Sequence, residues 1–415
     1  MELCLTDRQR EIVELAGRLA DKFAERADGP DRENRFPFEN YEDMREEGYL
    51  NLTVPEELGG YGADFLELLL AQERLAMGDG STALAVNMHV SPVGQWASIW
   101  QETRDARLES FLRDVAAGKI VWASITSERG VGNNLMDAMT TAERVDGGYR
   151  VNGGKIFCTN SEVATHFSFS ARYEDPELGP RVLLLRTPMD ADGIELRRTW
   201  DTLGMRGTQS NDMKITDLFV PEGELVHSLP VGHFDARILK TVFARGIATF
   251  GAVYLGIAGG AIAWSKEMVR QRGRESDPVV QHLFGEIEIL QESARAVLYR
   301  HAHEVMSGAL WEQYSVQEGL ARAAIAKLVP ANNAVQIMQK LIDVVGGPAY
   351  MRRFPFERML RDAQAGPVMP FNNMDGHRLL GASSLGVALA PEIGPDESGP
   401  GSRPKEAFTG EQVSV

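Results

Sequence analysis

The spacing of hydrophobic residues changes twice along the chain, which no single helical or all-β layer accommodates. From Thr6 to about Gly118 they recur at three and four positions, as Ile12, Leu15, Leu19 and Phe23 do, and Phe65–Ala76 and Leu108–Ala117 repeat the pattern. A helix brings such residues onto one face, so residues 1–119 are expected to form a helical domain. Across residues 120–233 short alternating or β-branched runs, such as YRVNGGKIFCT and RVLLLRT, are separated by Asp-Gly, Asn-Gly and Pro turns. These predict an antiparallel β domain. Helical spacing then returns over Phe243–Arg272, Val279–Ser307, Val316–Val345 and Asn372–Leu385. Residues 234–390 therefore predict a helical bundle, and the Gly-, Pro- and charge-rich 391–415 a disordered tail.

One stretch tests the soluble reading. Gly246–Ser265 holds 20 residues without a charge, about the length that crosses a bilayer, yet five are glycine and many are alanine. Gly256 and Gly260 lie one turn apart, as on a helix packed closely against another, so a buried core helix is expected and no membrane span. With 43 Lys+Arg against 59 Asp+Glu the net charge is −16, which argues against a nucleic-acid partner. Cys4 and Cys158 are the only cysteines, so no disulfide framework or multi-cysteine metal site is expected. That cysteine usage, with an amino terminus unlike a signal peptide, suits a reducing, cytoplasmic location.

Several tempting motifs fail. GVGNNL at Gly130 has two glycines of a dinucleotide fingerprint but lacks the third and sits in no βαβ unit. His301 and His303 are two positions apart, about 200° around a helix, and read as surface or interface residues rather than a metal pair. No GxSxG, phosphate loop or HExxH is present.

An ordered set of pieces runs through all three segments: VPEELGGYGA (Val54–Ala63), ASITSERGVGNN (Ala123–Asn134), GGYRVNGGKIFCTNSEVATHF (Gly147–Phe167), TWDTLGMRGTQSNDMKITDLFVPEGELV (Thr199–Val226), VRQRG with PVVQ (Val269–Gly273, Pro278–Gln281), VVGGPAY (Val344–Tyr350) and FERMLRDA (Phe356–Ala363). Together they resemble the acyl-CoA dehydrogenase family over about residues 5 to 385. The resemblance implies an α+β multidomain fold: N-terminal helical domain, central antiparallel β-barrel and C-terminal four-helix bundle. It also implies FAD as cofactor, an acyl thioester (acyl-CoA or acyl-carrier protein) as substrate and an electron-acceptor flavoprotein as partner. A homodimer or homotetramer, or a heteromer with a related subunit, follows from the same likeness.

Carried over residue by residue, the likeness places Ser127, Phe157, Thr159 and Asn372 beside the flavin ring. It places Arg270, Gln281, Gly346 and Gly347 toward the adenine and diphosphate end across a subunit interface, and Arg245 and Asn133 on the substrate. A planar ring with hydroxyls at its edge suits a flat, polar-rimmed cofactor, although Phe157 and Thr159 also simply alternate along a strand. A guanidinium suits a diphosphate. Gly346 and Gly347 fit a close backbone approach and equally fit a helix C-cap. Asp343 replaces the family's glutamine, which weakens that adenine contact.

The catalytic base is the departure. The family takes a proton from substrate C2 with a glutamate downstream of the RDA segment, and ungapped counting from Arg361 and Asp362 puts Pro370 there. Proline also lacks the N–H that would polarise a thioester carbonyl. The alternative placement, one residue before Arg245, is Ala244. Asp375 is the nearest downstream carboxylate, about 7.5 Å of helical rise away. Three readings follow: α,β-dehydrogenation of an acyl thioester with hydride passing to flavin N5, a flavin monooxygenase that needs no such base and in which His377 handles protons, or a silent subunit.

Overall fold

The computed structural model describes residues 4–233 and 239–389; the predicted tail at 391–415 lies outside them. The helices of the first domain are α1 (Asp7–Arg26), α2 (Asp28–Glu33), α3 (Phe38–Glu46), α4 (Phe65–Ala76), α5 (Gly80–Thr103) and α6 (Ala106–Ala116). Capping boxes start two of them: Thr6 with Gln9 on α1 and Asp64 with Glu67 on α4, each satisfying otherwise orphaned N–H groups. Ile12, Leu15, Leu19 and Phe23 are all buried on one face of α1, as their spacing requires.

Eight strands follow: β1 (Trp122–Ser124), β2 (Thr141–Val145), β3 (Gly148–Lys155), β4 (His166–Asp175), β5 (Gly179–Pro188), β6 (Ile194–Arg197), β7 (Asp212–Pro221) and β8 (Leu225–Pro230). Their order is β6-β7-β3-β2-β4-β5-β8, with β1 also on β4. Two details differ from the expected antiparallel barrel. The sheet is mixed, because β1 and β2 both run parallel to β4. The crossing from β1 to β2 is not a hairpin, since the two strands pair in the same direction with successive parts of β4, and the Glu128 carboxylate holds it by accepting from the Met139 and Thr140 amides. The sheet is also open, with β6 and β8 as its two edges, because the residues after β6 leave it to pack on the helices. Alternate side chains such as Val151, Phe167, Phe169, Leu183 and Ile215 bury a core inside its curve.

The last domain contains α7 (Ala244–Gln271), α8 (Pro278–Met306), α9 (Ala309–Gln313), α10 (Val316–Val345), α11 (Phe356–Ala363) and α12 (Asn373–Ser384). The three long helices match the predicted spans within a residue or two, and α12 packs on α10. Helix α7 carries the uncharged stretch and is long and apolar enough to cross a membrane, but 83% of that window is buried inside the protein. A Cβ on Gly256 would lie 2.2 Å from the Glu73 carbonyl, and one on Gly260 2.4 Å from that of Met77, so both glycines let α7 touch α4. His301 departs from its expected surface place: it is buried and donates from Nε2 to the Ala244 carbonyl at 2.7 Å.

Candidate active site

A cavity of about 1660 Å³ opens where the sheet meets α5, the start of α7 and the segment 364–375. On the sheet side it is lined by Ser127, Phe157, Thr159 and Ser210, and on the helical side by Phe250, Gln364, Pro370, Asn372 and Asp375. Phe157 is held at φ +54° and is 59% exposed, a conformation and an exposure that a large apolar residue takes only at a cost. Its ring stands edge-on to Trp200, with centroids 6.0 Å apart and planes at 84°. Beside it the hydroxyls of Thr159 and Thr208 each meet Ser210 Oγ at 2.8 Å, forming a short polar chain whose Thr159 and Ser210 face the cavity.

This wall is pinned from behind by a buried pair. Lys155 Nζ lies 2.5 Å from Glu128 Oε1 and donates to the Ser170 carbonyl at 2.6 Å. Burial pushes the Glu128 carboxyl up, but Lys155 and the backbone donors outweigh it and hold it below the usual carboxylate range. Glu128 follows Ser127 directly and Lys155 is two residues before Phe157, so the pair fixes both cavity-facing positions. The loop bearing Trp200 is tied to α11: the Met205 amide donates to Asp362 Oδ1 at 2.5 Å, and Arg361 bridges Asp31 and the Leu203 carbonyl. Burial pushes the Asp362 carboxyl up to about 7.

The opposite wall is pinned differently. Lys327 on α10 is fully buried, and its ammonium donates to the carbonyls of Gly366, Met369 and Phe371 at 2.7, 2.8 and 2.6 Å. Burial pulls its pKa down to about 7. Three carbonyls on one lysine fold the segment so that Pro370 faces the cavity. Asp375 lines the same cavity from the first turn of α12, which begins at Asn373, after the non-helical residues 370–372. Asn372 caps α12, accepting from the Asp375 amide and donating to its Oδ2 at 2.7 Å.

The sequence-predicted residues thus fall into two groups. Ser127, Phe157, Thr159, Asn372, Asn133, Pro370 and Asp375 share one cavity, Asn133 through a hydrogen bond from Thr126 at 2.7 Å. Arg270, Gln281, Gly346 and Gly347 do not reach it. They sit exposed where α7 ends, α8 begins and α10 ends, with Gly346 at φ +70° as the C-cap. Two others are turned away from the cavity. Arg245 points to the Ser98 hydroxyl at 2.6 Å and over the Phe65 ring, and Ala244 is buried among bundle side chains. His377 is exposed and outside the cavity lining. Sequence reading missed Trp200, Ser210, Lys327 and the Glu128–Lys155 pair; only Lys327, a lone charge in the run AAIAKLVPA, left a visible trace.

A helical, sheet and helical chain enclosing a ring-capped, hydroxyl-edged cavity defines an enzyme built around a flat cofactor. Sequence profiles of the acyl-CoA dehydrogenase N-terminal, middle and C-terminal domains match residues 6–119, 123–218 and 248–373 in order. The chain belongs to the acyl-CoA dehydrogenase family and is a flavoprotein of that fold. YdbM of Bacillus subtilis (strain 168), which carries an acyl-CoA dehydrogenase name, is 30% identical over 87% of this chain and 93% of its own. The amino sugar nitrososynthase DnmZ of Streptomyces peucetius is 28% identical over 92% and 94%. The solved structure of KijD3 with FMN and dTDP-3-amino-2,3,6-trideoxy-4-keto-3-methyl-D-glucose superposes with a TM-score of 0.84 at 27% identity, covering 94% of this chain and 96% of that one.

Proposed function

We propose that the chain is a flavin-dependent monooxygenase: substrate, O₂ and reduced flavin give oxygenated substrate, water and oxidised flavin. The observation that carries this reading is Pro370 on the cavity wall, at the place where dehydrogenation needs a carboxylate and a backbone donor. Likeness to an amino sugar nitrososynthase supports it, and KijD3, solved with FMN, supports a flavin in this cavity. Reduced flavin, when bound, supplies the two electrons with which one oxygen atom becomes water. The chain's own part is to hold and screen: Phe157 covers one face of a flat ring, and Ser127 with the Thr159–Ser210 pair supplies hydrogen bonds at its edge. Phe250, Trp200 and Phe371 exclude water. FAD is the cofactor we assign, and in a homodimer or homotetramer Arg270, Gln281 and the Gly346–Gly347 pair of a second copy would hold its adenine and diphosphate end.

A second reading keeps acyl thioester dehydrogenation with Asp375 as base, since Asp375 opens into the same cavity, and with electrons leaving to an acceptor flavoprotein. Purified chain supplied with reduced flavin by a separate flavin reductase separates the two. Free reduced flavin and the monooxygenase both use one O₂ per flavin, so the fate of the oxygen is the readout. With a panel of small amines, alcohols and thioethers under ¹⁸O₂, label in a product with less than one hydrogen peroxide per O₂ supports the monooxygenase. One hydrogen peroxide per O₂ with no labelled product counts against it.

A further inference from the structure

Helix α5 presents two rows of side chains along the cavity. Leu84, Met88 and Trp96 form an apolar row, and Asn87, Ser91 and Gln95, spaced four apart, form a polar one beside it. Asn87 is fully engaged, donating to Thr249 Oγ1 and accepting from Gln72 Nε2, both at 2.9 Å. The next two are not. Gln95 Nε2 donates to Ser91 Oγ at 3.3 Å, and neither side chain makes another hydrogen bond among the described residues. The Ser91 O–H and the Gln95 Oε1 therefore have unused capacity, although Ser91 is 5% and Gln95 6% exposed. Gly246 on α7 packs against Gln95; a Cβ there would stand 3.1 Å from Gln95 Nε2.

An alkyl chain laid along α5 would bury both groups unpaired, which is unfavourable. A hydroxyl or neutral amino group accepts from Ser91 and donates to Gln95 Oε1 in one contact. We propose that Ser91 and Gln95 determine specificity by taking such a group, so that the substrate is a compact amphipathic molecule and not an alkyl chain. This rests on reading the cavity as the substrate site of the flavin enzyme proposed above.

The test uses a pair of probes that differ by hydroxyl against methyl, benzyl alcohol and ethylbenzene. Their binding to the full chain is followed by thermal shift without flavin and by perturbation of the flavin absorbance with it. Between wild type and the Ser91→Ala/Gln95→Leu double variant, the ratio of the two dissociation constants is expected to move at least about tenfold toward ethylbenzene. If the double variant does not fold, Ser91→Ala alone is expected to move the ratio about threefold. An unchanged ratio, or no binding of either probe, overturns the assignment. Transfer of oxygen to product is measured separately, so a shifted ratio without oxygen transfer removes the reaction and leaves the subsite standing.

Discussion

The two walls of the cavity are built with opposite economy. On the sheet wall a buried carboxylate–ammonium pair backs two cavity-facing positions, and Ser127, Phe157 and Thr159 all line the cavity. On the helical wall a buried ammonium, without a carboxylate partner among the described residues, binds three carbonyls, and the residue it presents is a proline without side-chain chemistry. Cofactor binding and proton abstraction are therefore carried by separate segments. One can be lost while the other stays.

The comparison breaks most visibly at the pair. Glu128→Ala leaves the Lys155 ammonium buried and unpaired, and is expected to cost about 3–5 kcal/mol of stability and to release flavin, read by denaturant titration. Lys327 sharpens the other wall through pH. Its folded pKa of about 7 lies below the unfolded value of about 10.5, so the unfolded state binds more protons between them. Stability relative to Lys327→Met should then rise between pH 7 and 10, by a few kcal/mol at about 1.4 per pK unit, and be lost as pH falls toward 7. A flat difference across that window would mean that the three carbonyls keep the ammonium charged throughout.

Smaller effects concern the cavity itself. Phe157→Ala removes an exposed ring, so flavin affinity should fall by about tenfold while the melting temperature barely moves. A loss of folding instead would assign the ring to the core. Asp375→Asn is expected to change O₂ consumption with reduced flavin by less than about tenfold; a loss of a hundredfold or more in turnover of an acyl thioester would place the base there.

How much was legible follows from what each feature depends on. The helices were readable because their signals are local: Thr6 with Gln9, Asp64 with Glu67, and the uncharged face of α7. Ser127, Phe157 and Thr159 came from contiguous motifs and meet in one cavity. The open, mixed sheet was not readable, because the crossing from β1 to β2 depends on Glu128 reaching amides 11 and 12 positions away. The family likeness puts Arg245 on the substrate, yet only packing decides that it faces Ser98. Lys327 holds carbonyls 39 to 44 positions downstream, a relation no spacing rule encodes.

The most direct test of a helical wall without a working base is an anaerobic titration of the flavin-loaded protein with acyl-CoAs of several chain lengths. The long-wavelength flavin band is expected to persist at every length. Bleaching of that band by any of them, with enoyl-CoA formed in equal amount, would contradict the account.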